Sequence, residues 1–123
     1  MYRLLTFAAA LMLALPQAGD AAARRKPGKP NWGAIAYNTR TGAFGYAVDA
    51  ASKRNAETEA FRQCGSDCDL IRTFRNACGA VAARPKKAAW DTGASREIAE
   101  RKALTRCGGD ACKIAVWACT REK

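Results

Sequence analysis

Two short runs, WGAIAY at Trp32–Tyr37 and AFGYAV at Ala43–Val48, flank the polar stretch Asn38 to Gly42 and predict a β-hairpin. With Tyr37 opposite Phe44, strand alternation puts Ile35, Tyr37, Phe44, Tyr46 and Val48 on one face. The other face carries only Ala34, Ala36, Ala43, Gly45 and Ala47, small enough for a helix to approach closely. The pattern then changes period. Ala56, Ala60, Phe61 and Cys64 recur at helical spacing, and so do Ala99, Ala103, Leu104 and Cys107. Ser52 and Ser95 stand where a side-chain oxygen can accept a first-turn N–H, and Gly65 and Gly108 follow each helix at its C-terminal cap. A further strand follows each helix, LIRTFRNAC and KIAVWAC, and the first leads into another, GAVAA.

These elements repeat. AASKRNAETEAFRQCG at Ala50–Gly65 aligns without gaps to GASREIAERKALTRCG at Gly93–Gly108, and GAIAYN from Gly33 resembles GAVAAR from Gly79. With one inserted residue, Asp67 and Cys68 match Asp110 and Cys112, and Ala77-Cys78 matches Ala118-Cys119. The expected fold is α+β: two β-β-α-β units related by a pseudo-two-fold axis. The simplest packing is an antiparallel sheet with both helices on one face.

The chain begins MYRLLTFAAALMLALPQAGDAAA, in which Arg3 precedes an uncharged apolar run and small residues follow, the order of a cleavable signal peptide. The uncharged stretch Leu4–Ala18 is shorter than the roughly 18 residues of a membrane span. Cleavage is expected after Ala21 or Ala23. The expected organisation is therefore a leader at 1–23, a basic flexible arm at 24–31 and one domain at 32–123, with no transmembrane segment in the mature form. Export, to the periplasm or beyond the cell, follows from the leader.

Export changes the reading of the six cysteines, which become a disulfide framework for a domain of thin core. C-x3-C and C-x4-C spacings could also hold zinc, but behind a leader disulfides are favoured and no metal is expected. Sequence alone leaves many connectivities open. The repeat favours Cys64–Cys68 and Cys107–Cys112 as equivalent local bridges, with Cys78–Cys119 joining the two units.

Charge and composition narrow the chemistry. The chain has 21 Lys and Arg against 11 Asp and Glu, a net charge of +10, and no histidine. The missing histidine excludes Ser-His-Asp and Cys-His catalysis. Asp67 and Asp110 remain as a carboxylate pair at matching places, but an Asp just past a helix end commonly shapes a turn. Asp49 and Asp91, upstream of the helices, are read as turn and helix N-terminal residues. No catalytic residue and no cofactor are assigned. Arg24, Arg25, Lys26 and Lys29 lie in the arm, and the domain after it stays basic. Such charge favours anionic envelope components (lipid head groups, lipopolysaccharide, teichoic acid) or an acidic protein. Nucleic acid is not the expected physiological partner of an exported chain.

The segments WGAIAY, TGAFGYA, ASKRNAETEAFRQCG, FRNACGAVA and the terminal VWAC together resemble the bacterial domain of unknown function family 4189, over Trp32 to Cys119. The resemblance implies a small exported or lipid-anchored protein. It carries no established catalytic residues. The absence of a cysteine near the leader argues against the lipid anchor. The function expected is a binding module acting through a basic, aromatic surface at Tyr37, Arg40, Phe44 and Tyr46, helped by the arm. The alternatives are an inhibitor or immunity protein for an envelope-directed toxin and a carboxylate-based hydrolase of envelope polymers.

Overall fold

A computed structural model describes residues 31–120. The expected leader, its cleavage site and the arm cations Arg24, Arg25, Lys26 and Lys29 lie outside the described residues. Asn31, expected in the arm, is buried, and its carbonyl accepts a hydrogen bond from the Asn76 N–H at 3.2 Å, so it is already part of the domain.

Eight elements follow in order: β1 (Trp32–Tyr37), β2 (Phe44–Ala50), α1 (Lys53–Cys64), β3 (Leu70–Arg75), β4 (Cys78–Arg84), β5 (Lys87–Gly93), α2 (Arg96–Cys107) and β6 (Lys113–Cys119). The order β-β-α-β occurs in both halves of the chain. The strands form two antiparallel three-stranded sheets, β2-β1-β3 and β5-β4-β6, rather than one. The expected hairpin register holds, with Tyr37 opposite Phe44.

Both central strands are buried on both faces. Ala34 and Ala36 of β1 pack with Ala47 against Ala56, Ala60 and Cys64 of α1. Ala80 and Ala82 of β4 pack against Ala99, Ala103 and Cys107 of α2. The opposite faces meet each other, with Ile35, Tyr37 and Phe74 of one sheet against Val81, Val116 and Ala118 of the other. The layers therefore run helix, sheet, sheet, helix. This corrects the expectation of two helices on one face of a sheet. Each small-residue face needs its own helix, and the two branched or aromatic faces have only each other to be buried against.

Local chemistry fixes the ends of the helices. The Ser52 Oγ accepts the Asn55 N–H at 3.0 Å and the Ser95 Oγ accepts the Ile98 N–H at 3.3 Å. The Gly65 and Gly108 N–H groups donate to the carbonyls of Phe61 and Leu104, and both glycines have positive φ. Close approach explains Gly45: a Cβ there would stand 2.6 Å from the Cys64 nitrogen. Similarly, the Phe74 ring fills space left by Gly33 and Gly79 on the two sheets.

The cysteines pair as Cys64–Cys68, Cys107–Cys112 and Cys78–Cys119. The first two tie each helix end to the turn that leaves it. The third differs from its expected role. The strand expected to run through Cys78 ends at Arg75, and Cys78 opens β4 directly opposite Cys119 of β6. This bridge thus staples two strands of one sheet. By loop-closure entropy, its separation of 41 residues makes it the most stabilising of the three, at about 4 kcal/mol against about 2 kcal/mol for each short loop.

Candidate functional site

The two side edges of the sheet pair are unlike. At one edge β5 brings Trp90 against the core between the sheets, and the Arg72 guanidinium lies 5.9 Å from its ring centre. At the other edge β2 faces β6, and β6 offers only Ala115, Val116 and Ala118 to that space. Phe44, Tyr46 and Val48 of β2 consequently remain 47%, 45% and 39% exposed. With Trp117 on the rim, 40% exposed, they line a groove of about 440 Å³. The Trp117 ring is held from outside by Arg96, whose guanidinium carbon lies 3.9 Å from the ring centre and whose Nε donates to Glu100.

A second, basic cleft lies next to the groove. The hairpin loop Thr39–Gly42, the turn at Arg84, Pro85 and Lys86, and the start of β6 at Lys113 enclose about 520 Å³, and Ala115 lines both hollows. Arg40, Arg84, Lys86 and Lys113 are all exposed there. Arg40 has Asp67 at 3.9 Å, an exposed pair of small energetic weight. Among the described residues, Arg84, Lys86 and Lys113 have no carboxylate at ion-pair distance.

The loop that carries Arg40 is well anchored. The buried Asn38 side chain accepts the N–H groups of Arg40 and Thr41 at 2.9 and 3.0 Å and donates to the Asp67 carbonyl at 3.1 Å. Thr39 donates from its hydroxyl and its N–H to the Asp69 carboxylate, at 2.5 and 2.8 Å. Those hydrogen bonds hold the Asp69 carboxyl below its ordinary range. The neighbouring Cys64–Cys68 bridge fixes the segment to which the loop is tied.

The structure divides the predicted aromatic face. Phe44 and Tyr46 stand open in the groove and Arg40 in the basic cleft, whereas the Tyr37 ring belongs to the core between the sheets and only borders the cleft. Trp117, Arg84, Lys86 and Lys113 were not singled out by the sequence. The turn ARPKKAA joins β4 to β5 as the loop NTRTG joins β1 to β2, and that matching place in the element order is the signal that points to Arg84 and Lys86. Of the two carboxylate candidates, Asp67 lies against the first hairpin, while Asp110 is exposed in the turn after α2. They share no hydrogen-bond or ion-pair partner among the described residues. Asp91 is not a turn residue. It lies in β5 and binds Arg106 at 2.7 Å and Lys102 at 3.4 Å, latching α2 to the strand. Burial pushes its carboxyl up, but the Thr92 N–H and these two cations outweigh burial and hold it low.

The molecule resembles known proteins along nearly this whole span. The chain matches the family described as domain of unknown function (DUF4189) over residues 32–119. It is 39% identical over 89 residues to protein Rv1269c of Mycobacterium tuberculosis and to protein Mb1300c of Mycobacterium bovis, a span of 72% of this chain and 68% of each relative. It is 38% identical over 90 residues to uncharacterized protein Rv1813c of M. tuberculosis, covering 72% of this chain and 60% of that protein. The NMR structure of Rv1813c superimposes with a TM-score of 0.62 at 36% identity, covering 76% of this chain and 78% of that one. The chain is a member of the DUF4189 family.

Proposed function

We propose that this protein is an exported binding module that takes an anionic envelope component through the open edge between β2 and β6 and the basic cleft at its end. The observation that carries the reading is that the two hollows share Ala115 in their linings, so that exposed Phe44 and Tyr46 line one and Arg40, Arg84, Lys86 and Lys113 line its neighbour. Aromatic residues next to arginine are common binding anchors, and a one-signed cleft raises the local concentration of anions. Export rests on the leader sequence, and three disulfides suit an oxidising compartment. The recurring β-β-α-β order supports reading the halves as copies of one unit about a pseudo-two-fold axis, with the open edge a departure from that equivalence.

The experiment is affinity capture of envelope extract on the oxidised protein at low and moderate salt, beside a variant carrying Arg84→Glu, Lys86→Glu and Lys113→Glu. Retention of anionic material by the native protein, weakened by salt and lost in the variant, is the expected result. Equal retention by both proteins would remove the basic cleft from the account. A single acidic protein retained at both salts would replace this reading with the inhibitor, for which the exposed aromatics are the supporting observation. Polymer breakdown abolished by Asp67→Asn or Asp110→Asn would replace it with the hydrolase.

A further inference from the structure

The two hollows are lined by different side chains, aromatic and aliphatic in one and cationic in the other, and share Ala115, which restricts what fits them together. Both β2 and β6 start at the hairpin end, so the cations of the loops stand at the head of the groove and the apolar side chains follow along it. From Phe44 to Val48 the groove runs about 13 Å at ordinary strand rise. Ala115 and Ala118 leave its floor low, and the edge of β2 beside it is closed to a further strand at Tyr46, whose N–H donates to the Gln63 side chain at 3.3 Å. An open trough walled by Phe44, Tyr46 and Val48, with cations at one end, is complementary to a molecule with one anionic end and one alkyl chain.

We propose that the ligand is a phosphate-headed lipid taken as a single molecule, its phosphate beside Arg84, Lys86 and Lys113 with Arg40 across the cleft, and its acyl chain along Phe44, Tyr46 and Val48, past the Trp117 rim. This rests on the anion-binding reading above and adds the chain to it. The guanidinium groups of Arg40 and Arg84 suit phosphate oxygens through paired N–H donors, while the lysines add mobile point charges. Asp67 and Asp69 beside Arg40 oppose an anion on that flank, so the phosphate sits on the side of Arg84, Lys86 and Lys113. Burial of only two or three methylenes in the trough is enough to raise affinity about tenfold over the head group alone.

The test is calorimetric titration of the oxidised protein with dodecyl phosphate below its micelle concentration, with glycerol phosphate as head alone and dodecyl maltoside as chain with an uncharged head. Dodecyl phosphate should bind at least about tenfold more tightly than either control and weaken with salt. Ala115→Leu, which raises the floor where the hollows meet without changing charge, should remove most of that advantage. Tyr46→Ser on the exposed wall provides a second variant should Ala115→Leu fail to fold. If glycerol phosphate binds as well as dodecyl phosphate, the acyl chain has no place and the proposal falls, while anion binding stands. If neither phosphate binds at low salt, both readings fall. Binding to phosphatidic acid vesicles with none to the monomer would also overturn the proposal, by assigning the surface to a membrane.

Discussion

The two edges of the sheet pair are built from the same kinds of strand and end in opposite states. At the β3–β5 edge, Trp90 packs against the core between the sheets and Arg72 covers its ring. At the β2–β6 edge, Phe44 and Tyr46 face the small residues Ala115 and Ala118 and stay about half exposed. One edge spends its aromatic surface on stability and the other leaves it available. The contrast lies in a single layer of side chains, because the backbone order is the same in both sheets.

Breaking the Cys78–Cys119 bridge should have the largest effect on this contrast, since it ties β6, the floor of the open edge, to β4. Replacing both cysteines by serine should cost about 4 kcal/mol in urea unfolding, twice the cost of removing Cys64–Cys68. Next comes the filled edge itself. Trp90→Ala should cost about 3 kcal/mol, measured the same way, because it leaves a void between packed sheets.

Asp91→Asn should cost about 1 to 2 kcal/mol by weakening the hold of Arg106 and Lys102 on β5. The Asp91 carboxyl is held below its unfolded value, so its contribution is present above about pH 4 and lost as pH falls through its folded value. Unfolding curves of the native protein and Asp91→Asn should therefore converge in acid. Smallest of all, Phe44→Ala and Tyr46→Ala should each change stability by about 1 kcal/mol, since about half of each side chain is already in water. A cost for Phe44→Ala equal to that for Trp90→Ala would mean that the two edges do not differ as described.

What could be read from the sequence was what is local or repeated. Ser52, Ser95, Gly65 and Gly108 announced the helix ends, and the similar spacing of the cysteines after each helix picked out the local pairs. The facing of Ala34 and Ala36 against a helix followed from strand alternation. The two-sheet arrangement did not follow, because alternation says which residues share a face and not what covers it. Ile35 and Tyr37 share a face with Phe44 and Tyr46, yet the second sheet reaches only the first pair fully. The candidate site was legible in part for the same reason. Arg40, Phe44 and Tyr46 come from one hairpin, whereas Arg84, Lys86, Lys113 and Trp117 join them only through the packing of the sheets.

The central claim is that the open edge is a ligand groove and the filled edge is not, and the two tryptophans report on it separately. Two-dimensional amide NMR of the oxidised protein, titrated with dodecyl phosphate below its micelle concentration, should shift the Trp117 indole together with the amides of Phe44, Tyr46, Val48 and Ala115. The Trp90 indole should stay in place. Shifts spread equally over both indoles, or confined to residues away from β2 and β6, would contradict the account.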